Sequence, residues 1–352
     1  MPSAPPQEES GCDPSEWAAK WKTVGARAWR DFNGLVDSQE KAIAEGHGRL
    51  DGVTSLAQLS FPEKLYVDAG VVVLPQNVAE REVYLIGDLH GDYESLNALL
   101  QLTGLENSRS RPLLVFLGDY GDRGEDSLAV WLRLAQIKGQ FPEDVVLLRG
   151  NHEDLIKVQS IRESDGKALS QPWYVPGVTY NDTYVALGFA LESNFANLSA
   201  VFESLPAMAL FPDGMLAVHG GPVPRWKEGD GWKLPLEEKD ALRIGTLADL
   251  RKPRAQFVMR WVDVLDRDDV DLAWIEYGGS SRLSAAALDL AEWRDRLGIK
   301  RFVHGHTHPQ SGFEWACGQD ALAVNTSLAT GQCAVIVKWK PDGLEPIPLK
   351  SA

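Results

Sequence analysis

Val83-Tyr84-Leu85-Ile86-Gly87-Asp88-Leu89-His90-Gly91 decides how the rest of this chain is read. A short apolar run, the mark of a strand, ends in a burst of Gly, Asp and His. The pattern returns four times. Leu113-Leu114-Val115-Phe116-Leu117 runs into Gly118-Asp119-Tyr120-Gly121-Asp122-Arg123-Gly124, and Val145-Val146-Leu147-Leu148 into Arg149-Gly150-Asn151-His152-Glu153. Met215-Leu216-Ala217-Val218 leads to His219-Gly220-Gly221, and Arg301-Phe302-Val303 leads to His304-Gly305-His306-Thr307-His308. Open α/β sheets bind ligands beyond the carboxyl ends of their strands, so five such endings can meet at one site. The residue types at those ends suit a pair of metal ions.

The bulk properties narrow the field. A chain of 352 residues can bury a full core as one large domain or two. Its 44% hydrophobic and 24% charged residues are those of an ordinary globular protein, with no apolar stretch near the roughly 20 residues of a membrane helix. The formal charge of −15 argues against a nucleic-acid partner held by phosphate contacts. An anionic substrate stays open, because bound cations invert the local field. The segment Met1 to Glu9 has neither a basic region nor an apolar core, so no signal peptide is expected. Cys12, Cys317 and Cys333 form no close-spaced pair, which favours a reducing, cytoplasmic location.

Three regions emerge from the pattern. Residues 1–12, rich in Pro, Glu and Ser, read as a disordered tail. Residues 13–69 read as a helical extension packed on the core. Asp13-Pro14-Ser15-Glu16 is a helix start, and Trp17, Trp21, Val24, Ala28, Trp29, Phe32 and Val36 come after it at helical spacing. That stripe packs on the core or docks a partner. Residues 70–352 read as the β-rich domain that carries the five endings and, with them, any catalytic site, with helices expected over Ser95 to Leu105, Ser127 to Ile137 and Tyr184 to Phe202. A Gly/Pro/Trp-rich loop spans Ser170 to Asn181, of the kind that rims active sites, and late strands are expected near Ala321 to Val324 and Gln332 to Trp339. The stretch Asp263 to Asp271 is acidic, and Arg267-Asp268-Asp269-Val270-Asp271 within it reads as a solvated loop.

The chemistry of the endings is specific. Asp88 and His90 alternate at strand-end spacing, so both can face one ion. Asp119 ends the next strand, and its two carboxylate oxygens can bridge two cations. Asn151, His219 and His306 arrive from further strands. Mixed oxygen and imidazole donors suit Mn, Fe or Zn better than Mg. Two such ions clamp a phosphoryl group and lower the pKa of bound water.

The first four motifs together resemble the signature of the phosphoprotein phosphatases, the serine/threonine phosphatases of the calcineurin-like metallophosphoesterase superfamily, as a bacterial-type or divergent member. Leu205-Pro206-Ala207 ahead of the His-Gly-Gly motif adds to the likeness, which covers roughly Val83 to Val337. The resemblance implies an α/β fold with two mixed β-sheets in a sandwich flanked by helices. It implies Asp88 and His90 on one metal, Asp119 bridging, and Asn151, His219 and His306 on the other. It further implies direct in-line attack on phosphorus by metal-activated hydroxide, with no phospho-enzyme. The substrate would be a phosphorylated protein or a small phosphomonoester.

His152 beside Asn151 is the candidate general acid, with Asp122 to orient it. Arg123 offers a planar fork for phosphate oxygens, with Asn151 alongside. A second clamping arginine is expected at Arg282, with Arg260 and Arg254 as competitors. Four departures mark the sequence. Gly121 replaces a branched apolar residue, and no tyrosine matches near Asn325 to Gln332. The segment between Glu153 and His219 is long, and His308 makes a Gly-His-x-His pattern in which it either binds the first metal or lines the pocket. The alternatives are a diadenosine-polyphosphate-type nucleotide hydrolase, a phosphotyrosine-preferring phosphatase of the same superfamily, and a non-catalytic scaffold. Glu153 and the Asp122-Arg123-Gly124 ending favour a phosphomonoesterase.

Overall fold

The computed structural model describes residues 49–154, 201–225, 242–268, 274–277, 280–329 and 333–349, with isolated helical positions at 34, 41 and 44–45. At 128, 154, 274–277 and 280–282 only the backbone is described. The tail over 1–12, the Trp stripe, the loop over 170–181, most of the expected helix over 184–202 and the Arg282 side chain lie outside the described residues.

In chain order the strands are β1 (Tyr66–Asp68), β2 (Val71–Val73), β3 (Val83–Ile86), β4 (Leu113–Phe116) and β5 (Val145–Leu147). Then come β6 (Met208–Leu210), β7 (Met215–Val218), β8 (Asp263–Val264), β9 (Trp274–Tyr277) and β10 (Ser280–Ala285). The last are β11 (Arg301–His304), β12 (Phe313–Ala316), β13 (Ala321–Val324), β14 (Val335–Lys340) and β15 (Gly343–Pro348). The helices are α1 (Tyr93–Thr103), α2 (Ser127–Gln140), α3 (Pro253–Met259) and α4 (Ala287–Leu297).

Among the described residues, a five-stranded sheet has the order β15-β14-β3-β4-β5, and a seven-stranded sheet the order β1-β2-β6-β7-β11-β13-β12. Both mix parallel and antiparallel pairs: β3, β4 and β5 run parallel, as do β7, β11 and β13. The expected sandwich of two mixed sheets is present, and a three-stranded sheet β8-β10-β9 is added to it. The seven-stranded sheet already includes β1, ahead of the boundary expected at Gly70.

Side-chain alternation explains the layering. Val83, Leu85, Val115 and Val146 of one sheet meet Ala217, Val303, Leu322 and Val324 of the other in one buried cluster. Their neighbours Tyr84, Ile86, Phe116 and Leu147 turn outward into a cluster with Leu96, Trp131 and Leu134 of α1 and α2. On the far side, Leu216, Val218 and Phe302 pack with Val258 of α3, Trp293 of α4, and Val264 and Leu283 of the small sheet. A strand whose two faces are both buried must be apolar at its buried positions, which is why polar residues gather where these runs end. Each large side chain so buried contributes about 1.5–3 kcal/mol. The layer between the sheets therefore fixes where the strand ends lie.

The helices obey local chemistry. Asp92 caps α1 by accepting from Ser95 N at 2.8 Å, and Gly104 ends it in a left-handed conformation with φ 67. The cap places the helix start two residues ahead of the expected Ser95. Asp289 Oδ2 accepts from Ala286 N at 2.8 Å at the start of α4, and Gly298 closes that helix with φ 79. No helix of the described residues is long and apolar enough to cross a membrane.

Candidate metal centre

Five strand ends converge, and main-chain bonds stitch their loops together. Leu89 N and His90 N both donate to Asp119 O, at 3.1 and 2.9 Å, and Gly91 N donates to Tyr120 O at 2.9 Å. Glu153 completes the stitching: its Oε2 accepts from Gly150 N and Asp119 N, and its Oε1 from Tyr120 N, at 2.8 to 3.1 Å. His90, Asp119, Asp122, Arg123 and His306 all have φ between 45 and 71, in the left-handed region that non-glycine residues seldom adopt. Such strain persists only where surrounding contacts over-determine it, and it gathers at functional sites. Gly305 is required for packing, because a Cβ there would lie 2.1 Å from Asp88 Oδ1.

The histidine tautomers are set by their outer partners. A carbonyl oxygen only accepts, so a ring nitrogen facing one must carry the proton. His90 Nδ1 lies 3.0 Å from Gly121 O, and His219 Nδ1 lies 2.9 Å from Leu117 O. The neutral form of each ring then turns its Nε2 lone pair inward. His90 Nε2 sits 3.6 Å from Asp88 Oδ2 and 3.5 Å from Asp119 Oδ2, while His308 Nε2 sits 3.2 Å from Asp88 Oδ2. Asp88 Oδ2 and His90 Nε2 are fully buried without a hydrogen-bond partner. Burying acceptors together like this is costly unless a cation lies among them.

A second group adjoins the first. His219 Nε2 is 3.3 Å from Asp119 Oδ1 and 2.8 Å from Asn151 Oδ1, and His306 Nδ1 is 2.9 Å from that same Asn151 oxygen. Asp119 thus turns Oδ2 to one group and Oδ1 to the other. Three overlapping sets of His and Asp atoms, each within 4.8 Å, could hold an ion: Asp88 with His90 and His308, His90 with Asp119 and His152, and Asp88 with Asp119 and His219. The donors are oxygens and imidazoles, a set that fits a divalent transition metal.

Electrostatics agree with a cation. Burial would raise the Asp88 carboxyl, but His308, His90 and His219 together hold it well below the usual carboxylate range. Asp119, also opposed by burial, is held well below that range by His219 and His152. Burial lowers His90, so it is neutral and ready to bind metal. Burial opposes charge on His219 as well, yet Asp119 and then Asp88 push it up to about 9. In the absence of metal, a proton on His219 does part of the work a cation would do. Burial, then the charge of Asp119, push Glu153 up to about 7 against the pull of its backbone donors.

The remaining expected residues line the same centre. His152 Nδ1 faces Asp122 Oδ2 at 2.8 Å, and its Nε2 lies 3.3 Å from an Arg123 guanidinium nitrogen and 3.7 Å from Asp119 Oδ2. Arg123 also reaches His308 Nε2 at 3.0 Å. Of the other arginines considered, Arg254 and Arg260 both lie over the Phe257 ring, and Arg260 donates to Gln256 O. Two contributors escaped the sequence reading. Asp263, read only as the start of an acidic stretch, is buried on β8 with Oδ1 3.2 Å from His306 Nε2. Glu153 stood out by its position after Asn-His, but nothing local revealed its clasp on the Asp119 loop.

The model of the calcineurin-like phosphoesterase family matches residues 82–310. The chain is 24% identical over 314 residues to the serine/threonine-protein phosphatase C23G10.1 of Caenorhabditis elegans, covering 86% of this chain and 61% of that protein. It therefore spans less than two thirds of that relative's length. Its fold is similar to that of a protein serine/threonine phosphatase from Saccharomyces cerevisiae with similarity to human phosphatase PP5. The TM-score is 0.60 at 14% identity, over 97% of this chain and 91% of that one.

Proposed function

The chain belongs to the calcineurin-like phosphoesterase family, and we propose that within it this protein is a metal-dependent phosphomonoesterase acting as a protein serine/threonine phosphatase. The observation that carries the reading is the pair of donor groups sharing Asp119, with His152, Asp122 and Arg123 beside them. Asp88, His90, Asp119 and His308 would hold one ion. Asp119, Asn151, His219 and His306 would hold the other, with Mn, Fe or Zn the metals suited to these donors. When bound, the two ions lower the pKa of water and neutralise the phosphoryl oxygens.

The chain's own side chains supply the rest. Arg123 carries a planar fork of donors toward the charge that spreads over the phosphoryl oxygens during in-line displacement. His152 gives the proton at Nε2 to the leaving serine or threonine oxygen, a poor leaving group without it. Asp122 Oδ2 accepts from His152 Nδ1–H, which holds the ring in that tautomer and supports the imidazolium. Arg282 is the proposed second clamp. The relative named as a serine/threonine phosphatase supports protein substrates, and the free Cys317 and Cys333 agree with a reducing cytoplasm.

The test is a turnover assay of the Mn-loaded protein on phosphoserine, phosphothreonine and phosphotyrosine peptides and on diadenosine tetraphosphate. Fastest release of phosphate from the phosphoserine or phosphothreonine peptides is expected. Preference for the dinucleotide would replace this reading with a nucleotide hydrolase, and preference for phosphotyrosine would move the substrate class.

A further inference from the structure

His306 is gripped at three points. Its backbone N donates to Asp88 Oδ1 at 3.0 Å, its Nδ1 lies 2.9 Å from Asn151 Oδ1, and its Nε2 lies 3.2 Å from Asp263 Oδ1. The first two partners come from the five-stranded sheet. The third comes from β8, in the small three-stranded sheet, from a segment whose sequence gives no sign of a role in the centre.

From this geometry we infer that Asp263 is a positioning residue: it accepts the Nε2 proton of His306 and so leaves Nδ1 as the nitrogen that gives up its proton to bind the second ion. A carboxylate behind a metal-binding imidazole fixes the tautomer, aims the ring and makes the inner nitrogen more basic. Asp263 suits that task because it is almost fully buried at 5% exposure and cannot swing into solvent. Its carboxylate is on the outer side of the ring, with the imidazole between it and Asn151, so it acts through His306.

The segment that carries Asp263 is pressed against the turn that carries His219. A Cβ on Gly220 would stand 2.4 Å from Met259 O and 2.8 Å from Val262 O, and one on Gly221 would meet the Val264 side chain at 2.8 Å. Gly220 is therefore needed for the close approach of residues 259–264. The same contact sets the distance between Asp263 and His306. One element thus supports both imidazoles of the second group, His219 through the glycine turn and His306 through the carboxylate.

This inference rests on the proposed two-ion centre, and the experiment separates the two. Metal-stripped wild type, Asp263→Asn and Asp263→Ala are dialysed against graded MnCl2, and bound Mn per chain is measured by elemental analysis. Thermal melting of the stripped proteins serves as the fold control. Wild type should bind two Mn. Both variants should keep the tighter ion while affinity for the other falls about 10–100-fold, the usual effect of losing such a partner. Excess MnCl2 should restore the second ion. Asp263→Asn retains the carbonyl acceptor and should lose less than Asp263→Ala. Variants that melt like wild type yet bind both ions equally well would overturn the role of Asp263. Wild type that binds no Mn would overturn the two-ion reading itself.

Discussion

The loops leaving β3, β4 and β5 and those leaving β7, β8 and β11 build two halves of one centre by different means. In the first half the strands are adjacent and parallel, and their loops are joined through main-chain groups: His90 N to Asp119 O, Gly91 N to Tyr120 O, and three backbone N–H groups to the Glu153 carboxylate. In the second half the support comes from side chains. His306 depends on Asn151, Asp88 and Asp263, the last from another sheet.

Asp119 belongs to both halves, so changing it should have the largest effect. Asp119→Asn is expected to lower turnover by more than about 10³-fold, out of an enhancement that reaches at least about 10⁶-fold in enzymes, and to release both ions. Elemental analysis beside a phosphopeptide assay measures both. Retention of two ions would mean that the carboxylate does not join the halves.

His152→Asn comes next. Loss of the acid should cut kcat about 10²–10⁴-fold while both ions stay bound. The proximity of His152 Nε2 to Asp119 Oδ2, at 3.7 Å, gives this test its edge. Loss of an ion in this variant would make His152 a ligand, and the acid would have to be sought elsewhere.

Glu153→Gln probes the main-chain framework alone. The amide turns an N–H toward backbone donors that the carboxylate now satisfies, so a loss of about 1–3 kcal/mol is expected from urea unfolding. An unchanged unfolding midpoint would show that the clasp is not what sets the Asp119 loop.

The smallest effect on activity is expected at Lys138, on α2 behind the first half. Its Nζ donates to Pro142 O and Val145 O at 2.7 Å each, and burial pushes its pKa down to about 8. The folded chain then resists a proton that the unfolded chain keeps to about 10.5. Below about 8 that costs stability in full, and the cost is relieved as pH rises from about 8 to about 10.5. Unfolding midpoints at pH 7.5 and 10 should therefore differ more in wild type than in Lys138→Met, while kcat/KM of the two stays equal. Equal pH dependence in both would place the titration on another group.

The two halves also differ in how well the sequence reveals them. Dense motifs behind β3, β4 and β5 are readable because buried strands stay apolar until they end, and the polar residues begin abruptly at the site. The same logic found His219 and the three histidines at the end of β11 and just beyond it. Asp263 was missed because a two-residue strand shows no alternation, and because an acidic stretch carries no mark of the third sheet that buries its first member. The left-handed backbone at His90, Asp119, Asp122, Arg123 and His306 was equally hidden, since none is glycine. Neighbours separate His304 from His306: His306 faces Asn151, while His304 is turned to Gly305 O and held down to about 4 by burial.

Two cations meeting at Asp119 are the core of the proposed chemistry, and a single titration tests them most directly. Metal-stripped protein is titrated with MnCl2 while bound Mn and release of phosphate from a phosphothreonine peptide are measured together. Binding should reach two Mn per chain, with turnover absent in the stripped protein and rising as the second ion fills. Turnover that survives stripping, or a chain that becomes fully active with one ion bound, would contradict the two-cation centre.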